Sequence, residues 1–518
     1  MRQPPCFLQR AGLPALVACA TLYLSACGGG NAGSNPGNVQ VPETPTPPVT
    51  LRGTLIGSAS VVPVQVNGTA VNTLTPAAMT QLLDNAQAGS SSMTGAPVCS
   101  ITTYTVKYHT VGGAGEATDA STAIMVPSGS APECNGNRPV LLYAHGTSVQ
   151  KSTDMANLAA TEPRLIAAMF AGQGYIVVAP NYAGYAGSSL GYHAYLDATQ
   201  QSNDMVDALK AARLSYSRIG ALASSDLFVT GYSQGGHVAL ATQRAMQTTY
   251  ASEFTVTAAA GLSGPYALAR FGDTIFGGSP STGSAAFLPL LINAGQRANA
   301  AIYTSTGDIY ESKYASGIDL LFPGASSIGD LVAAGKLPND VLFAADSLPQ
   351  AAGASAFFGA GNLIKGSYRN GYLADKQANA CDNSIANPLS CAPAQNLRKW
   401  LVKNDLRNYL PSVPLLLCGG DEDPIVPFFN TEATSDYFKA LGMTANRLTT
   451  LNIDGGVAFG PFSNELLAFQ TAKGAVRAAA FVAGGNAAAA DKAVRDSYHA
   501  GLVAPFCLRS AREFFKGR

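Results

Sequence analysis

The sequence predicts an α/β protein: a mainly parallel sheet flanked by helices, with a mostly helical insertion. Three observations predict it. Short apolar runs alternate with segments of helical spacing, the pattern of a sheet covered on both faces. A Gly-Tyr-Ser-Gln-Gly run at 231–235 lies between one apolar run and one helical segment. The stretch 265–412 holds no comparable apolar run and is rich in Ala, Gly and aromatics.

The elements follow in order. Residues 101–109 and 118–126 flank Gly112-Gly113 and read as an antiparallel opening hairpin. The run 139–144 ends at His145-Gly146 and reads as a buried strand. Residues 163–173 space Leu165, Ile166, Met169 and Phe170 as a helix would, and 175–179 is a second buried strand. A helix over 203–213 carries Met205, Val206 and Leu209 on one side. Residues 226–230 form a third strand, 237–246 a helix, and 254–260, 413–417 and 448–453 three further strands. Between Gly264-Pro265 and Val413 the aromatic-rich insertion, with Phe271, Phe276 and Tyr310 among its rings, reads as a helical cap over the sheet's C-terminal edge.

Composition narrows the function. Hydrophobic residues make up 47% of the 518, ample for a large core, and charged residues only 12%, about half the usual 25%. Lys+Arg and Asp+Glu are both 32, so the net charge is zero. That balance argues against a nucleic-acid partner and against long-range steering of charged substrates.

The N-terminus reads as an address. Arg2 and Arg10 precede an apolar stretch from Ala11 to Ala26, a secretory pattern ending in Leu24-Ser25-Ala26-Cys27. This resembles a bacterial lipoprotein signal, which implies cleavage of 1–26 and lipidation of Cys27. Residues 27–50, with Pro42, Pro45, Pro47 and Pro48, form a Pro-rich tether. Gly28 stands where an Asp would retain a lipoprotein at the inner membrane, so attachment to the outer membrane through the lipid is the expectation. Beyond Cys6, Cys19 and Cys27, six cysteines remain: Cys99, Cys134, Cys381, Cys391, Cys418 and Cys507. An even number in an exported chain implies disulfides, with 15 connectivities open among six cysteines. The expected pairs are Cys99–Cys134, Cys381–Cys391 and Cys418–Cys507. Their spacing resembles no zinc site.

Gly-x-Ser-x-Gly is a weak signal alone, because Gly is 54 of 518 residues. A second match occurs at Gly187-Ser188-Ser189-Leu190-Gly191. Context separates the two. Ser233 has a strand before it and a helix after it, so a strained turn would expose its hydroxyl at the sheet edge. Ser189 lies in a Gly/Tyr-rich loop with no adjacent strand. Ser233 is the candidate nucleophile.

A serine hydroxyl needs a base, and His titrates near working pH. Of His109, His145, His193, His237 and His499, only His499 lies well beyond Ser233. The chain order Ser, acid, His therefore selects it. The acid should orient that imidazole. The apolar run 413–417 leads into Gly419-Gly420-Asp421-Glu422-Asp423-Pro424, and Asp423 is the candidate, with Asp421 the alternative. For the oxyanion, Gln234 N–H is one expected donor, and Thr147 N–H, or Gly146 N–H close behind, the other.

Tyr143-Ala-His-Gly-Thr147, Val177-Val-Ala-Pro-Asn-Tyr-Ala-Gly184, the 231–236 run, Gly420-Asp-Glu-Asp-Pro-Ile-Val-Pro427 and His499 together resemble the α/β-hydrolase superfamily. The capped layout is most similar to the secretory lipases, and the likeness covers roughly 97–518. Where that family often has Asp-Tyr after the second strand, this chain has Asn181-Tyr182. The resemblance implies hydrolysis of carboxylic esters without metal or organic cofactor. The hydrolase domain would comprise 51–264 and 413–518, with 265–412 the inserted cap. A peptidase or thioesterase on the same scaffold, and a non-catalytic surface lipoprotein, are the alternatives.

Overall fold

The protein is described by a computed structural model over residues 51–518, apart from 88, 382–383 and 457–459. The expected signal segment, Cys27 and the tether to residue 50 lie outside the described residues.

Twelve strands are present among the described residues: β1 Leu55–Val61, β2 Val64–Val66, β3 Thr69–Val71, β4 Thr73–Leu74, β5 Ser100–Val111, β6 Ala117–Ser128, β7 Arg138–Ala144, β8 Ile176–Pro180, β9 Ala223–Tyr232, β10 Ala258–Leu262, β11 Leu415–Gly419 and β12 Leu448–Asn452. Ten make one sheet in the order β1-β5-β6-β8-β7-β9-β10-β11-β12, with β4 on β5, while β2 and β3 form a separate hairpin. β1, β5, β6 and β8 pair antiparallel in turn. From β8 through β12 every pairing is parallel. Parallel neighbours need crossover connections, and helices supply them.

The strand period of two divides the core. Leu141 and Tyr143 of β7 face one layer, with Ile166, Phe506 and Phe515. Val140 and Leu142 face the other, with Met205, Leu209, Val238 and Phe438. Both faces are therefore sealed by helices, as near-continuous apolar strands require.

Most expected elements are present with shifted ends. The run 254–260 is corrected: the strand is Ala258–Leu262. Phe254 and Val256 are buried, but Phe254 N–H still donates to Tyr250 O (3.1 Å), so the chain is only leaving the preceding helix there. The sequence reading also passed over β1–β4, the helices Pro76–Ala86 and Ser90–Thr94, and the long pair Ser463–Gly484 and Ala487–Ser497. That pair is Ala-rich and largely exposed, so it carries no strong apolar stripe.

The insertion is helical, with Leu268–Phe276, Ser284–Arg297, Gly366–Ala378 and Asn396–Asn404 as its longer helices. It has an apolar core of its own around Phe276, Ile292, Tyr310 and Trp400, and Val149, Tyr195 and Leu196 join that core from outside it. Lys151 N–H donates to Gly324 O (2.8 Å) and Gly324 N–H to Val149 O (2.9 Å), fastening the insertion to the loop after β7.

Among the described residues three disulfides close, Cys99–Cys134, Cys381–Cys391 and Cys418–Cys507, the same pairs named above. Cys418 is on β11 and Cys507 on the helix Ala504–Lys516. The Cys418–Cys507 bridge spans 89 residues of chain against 10 for Cys381–Cys391. Loop-closure entropy grows with that span. Replacing both Cys418 and Cys507 by Ala is expected to cost about 2–5 kcal/mol of stability, and more than the same change at Cys381 and Cys391. Urea unfolding midpoints measure this, and equal midpoints for the two double variants would refute it.

Candidate active site

The site begins with a backbone reversal. β9 ends at Tyr232, and the helix Gln234–Thr248 starts one residue after Ser233. Ser233 itself has φ +59° and ψ −123°, a conformation that a residue with a side chain rarely adopts. Its N–H donates to Leu262 O of β10 (2.9 Å), which pins the turn to the neighbouring strand. The flanking glycines are required by space. A Cβ at Gly235 would lie 1.9 Å from Ala144 O, and one at Gly231 would lie 2.2 Å from Gly235 O. The Ser233 side chain is thereby held at the C-terminal edge of the sheet, 8% exposed. Ser189, in the other Gly-x-Ser-x-Gly match, sits in an exposed loop with its N–H on Asp119 Oδ1 (2.6 Å).

Asp423 follows β11 in a tight turn. His499 Nδ1–H donates to Asp423 Oδ2 (2.7 Å), and Ser263 Oγ donates to the same oxygen (2.7 Å). Oδ1 accepts the N–H groups of Ile425 and Val426, each at 3.0 Å. Burial pushes the Asp423 carboxyl up, but the His499 imidazole and these hydrogen bonds outweigh it and hold the group below the usual aspartate value. The alternative acid, Asp421, is exposed in the same turn.

His499 lies on a single π-helical stretch, Tyr498–Val503, that joins the helices Ala487–Ser497 and Ala504–Lys516 without a break. Such a bulge rotates a side chain off the regular helical face. The Tyr232 hydroxyl donates to the His499 carbonyl, and the two rings lie 4.9 Å apart. So the residue before Ser233 touches the residue that pairs with Asp423. His499 Nε2 is buried and without a hydrogen-bond partner among the described residues. No hydrogen bond joins the Ser233 hydroxyl to Nε2 among the described residues.

Two of the three expected oxyanion donors remain free. Gln234 N–H is the first of its helix and has no intrahelical acceptor. Thr147 N–H meets no acceptor among the described residues, and Thr147 Oγ1 lies 3.0 Å from the Tyr195 hydroxyl. Gly146 is corrected. Its N–H donates to Glu162 Oε1 (2.8 Å), an oxygen that also accepts the Tyr143 hydroxyl (2.8 Å). Glu162 thus braces the loop from beneath, a contact between residues 16 apart that no local pattern announces.

The other histidines are spoken for. His237 is buried with Nε2 on Asn404 O (2.8 Å), and burial lowers its pKa to about 4. His193 is buried, its Nδ1 on Ala183 O and its Nε2 2.7 Å from Gln234 Nε2, and burial lowers its pKa to about 3. His145 stacks on Tyr182 at 4.1 Å and shapes the loop after β7. His109 is within β5. Asn181, at the place of the expected Asp, keeps the loop contacts. Its Oδ1 accepts Met155 N–H (2.6 Å), while its Nδ2 donates to Ser121 Oγ and Asp154 Oδ1, both at 2.9 Å. An Asp would face Asp154 there without a proton to share.

Beside Ser233, Gln234 and Thr147 opens a pocket of about 690 Å³ counting its mouth. Leu268, Phe271, Ile275, Phe287, Leu291 and Leu401, all from the insertion, supply most of its wall, and no charged side chain lines it.

The geometry has relatives. A family model described as the prolyl oligopeptidase family (Peptidase_S9) matches residues 162–260. That segment holds Ser233 but neither Asp423 nor His499. The rice cell wall degrading esterase LipA from Xanthomonas oryzae is 25% identical, with a TM-score of 0.62 over 77% of this chain and 91% of that chain. Its ligand-bound form is 23% identical, with a TM-score of 0.66 over 90% of this chain and 100% of that one. A Legionella pneumophila protein is 17% identical at a TM-score of 0.62, over 89% and 97% of the two chains. Comparison with curated sequences gives no match. The fold is that of the α/β-hydrolases, esterase-like in its organisation.

Because the Asp423 carboxyl is held below its ordinary value of 3.8, its protonation opposes folding. Its contribution to stability is complete above the unfolded value of about 3.9 and is lost as pH falls through the folded one. The Asp423→Asn variant is expected to lose less stability than the wild type between about pH 4 and more acid conditions. Urea midpoints over that range measure it; parallel curves for the two proteins would contradict the assignment.

Proposed function

We propose that this chain, an α/β-hydrolase by fold, is an extracytoplasmic serine esterase that cleaves carboxylic esters through an acyl-enzyme. The observation that carries the reading is the buried Asp423–His499 hydrogen bond with His499 Nε2 left unpartnered beside the Ser233 turn.

In this mechanism His499 Nε2 takes the proton as Ser233 Oγ attacks the ester carbonyl. Asp423, ionised and with every lone-pair direction engaged, stabilises the imidazolium that forms. Gln234 N–H and Thr147 N–H face the oxyanion of the tetrahedral intermediate. Collapse breaks the C–O bond, and His499 returns the proton to the departing alkoxide. Water, deprotonated by His499, then attacks the acyl-enzyme and releases the acid and the free Ser233.

Two features favour an ester over a peptide. The pocket wall is apolar and uncharged, which suits an alkyl or aryl group better than a peptide backbone whose polar groups need partners. The likeness to an esterase extends over 77% of the chain, whereas the peptidase model matches only the scaffold around the Ser233 turn. No step requires a metal or organic cofactor. The three disulfides agree with a site outside the cytoplasm, and Cys27 is the proposed point of attachment to the membrane.

A panel of p-nitrophenyl esters from acetate to palmitate, set against aminoacyl p-nitroanilides and acyl thioesters, tests the reaction class. Ser233→Ala is expected to lose roughly 10³- to 10⁶-fold in kcat on the esters. Undiminished turnover by the variant would end the mechanism, and turnover of anilides alone would make the enzyme a peptidase. Separately, Cys27→Ser is expected to move the protein from the detergent-extracted membrane fraction to the soluble one. An unchanged distribution would remove the anchor from the account.

A further inference from the structure

Resting on the esterase reading above, one residue outside the nucleophile, acid and base has the geometry of a working part. Ser263 is the first residue after β10, is 2% exposed, and has φ +45°. A side-chain-bearing residue held in the left-handed region carries strain, and strain that persists in a buried, over-determined position marks a residue kept for what its side chain does. The surroundings over-determine it. Ser263 N–H donates to Cys418 O of β11 (2.7 Å), while the preceding residue's carbonyl, Leu262 O, takes the Ser233 N–H (2.9 Å). The Ser263 backbone is therefore fastened to the acid-bearing strand on one side and adjoins the Ser233 turn on the other.

Its hydroxyl does the chemistry-relevant work. Asp423 Oδ1 is fixed by two N–H groups of its own turn, Ile425 and Val426. Those contacts anchor one oxygen but leave the carboxylate free to rock about it. Oδ2 has two partners, His499 Nδ1 and Ser263 Oγ, both at 2.7 Å. His499 must stay mobile enough to pass a proton between Ser233, alkoxide and water, so it is a poor anchor. Ser263, fastened through its own N–H to β11, is the partner of Oδ2 that takes no part in proton transfer.

We propose that Ser263 is a positioning residue, whose hydroxyl holds the Asp423 carboxylate in the orientation that presents Oδ2 to His499 through every step of turnover. The strained φ is the consequence of bringing that hydroxyl to Oδ2 directly after a strand whose other neighbour is the Ser233 turn. Ser263 touches no substrate, and its effect falls on kcat.

Two variants separate positioning from mere stability. Ser263→Ala removes the hydroxyl and retains the strain; Ser263→Gly removes the hydroxyl and relieves the strain, since Gly adopts positive φ freely. Both are expected to lose about 10- to 100-fold in kcat on a p-nitrophenyl ester, with KM within about twofold of wild type. The Gly variant should nevertheless unfold at a higher temperature than the Ala variant. Activity uncoupled from thermal midpoint supports the proposal. Wild-type kcat in Ser263→Gly, or kcat losses that follow the midpoints, would overturn it. Should Ser263→Ala fail to accumulate, Ser263→Gly alone decides on the same kcat criterion. Ser233→Ala is run beside them: if it is inactive while Ser263→Gly turns over normally, the esterase reading stands and only the role of Ser263 falls.

Discussion

The structure depends on one close approach. Between β9 and the helix that follows, the backbone reverses within the single residue Ser233, and Gly235 passes so near β7 that a Cβ would sit 1.9 Å from Ala144 O. That approach places the helix N-terminus over the sheet edge beside the loop after β7. Gln234 and Thr147 accordingly line the same pocket. It also sets Tyr232 against His499. If the turn opened, Ser233, the start of the following helix and the His499 ring would lose their common reference.

Around this turn the polar groups are arranged to keep one charge buried. An isolated carboxylate at the position of Asp423, 4% exposed, would be unfavourable by several kcal/mol. Four donors from three places compensate: the turn itself, the end of β10, and the π-helical stretch far along the chain. The Cys418–Cys507 bridge joins the acid-bearing strand to the helix that continues from His499. Tyr498 adds a second tie, accepting Glu422 N–H (3.1 Å) and donating to Asp454 Oδ2 (2.6 Å). The charge is thus carried by hydrogen bonds within the protein and not by solvent, which strengthens its interaction with the imidazole.

The insertion adds an apolar wall beside this frame. Its helices supply apolar side chains, and its fastening to the loop after β7 connects the pocket wall to the Thr147 donor. Desolvation by that wall strengthens every polar interaction at Ser233. The scarcity of charge in the composition, 12% against the usual quarter, has a counterpart here: the chain presents apolar surface in the pocket beside Ser233 as well as in its core.

Fold class, the succession of the central strands along the chain, and the turns that carry Ser233 and Asp423 were legible in the sequence. Each rests on a local signal: a period, a glycine spacing, a position in chain order. Local signals also erred locally, as at 254–257, where buried apolar residues belong to a helix exit and the strand begins only at Ala258. Other features were decided only by tertiary structure. The Gly146 N–H is taken by Glu162, Asn181 replaces Asp because it must donate to Asp154, and Ser263 joins Asp423 across 160 residues. Sequence patterning records which face of an element is buried, because apolar area scales with residue type alone. It does not record which hydrogen-bonding groups meet, because that depends on ångström-level distances between segments that only packing brings together.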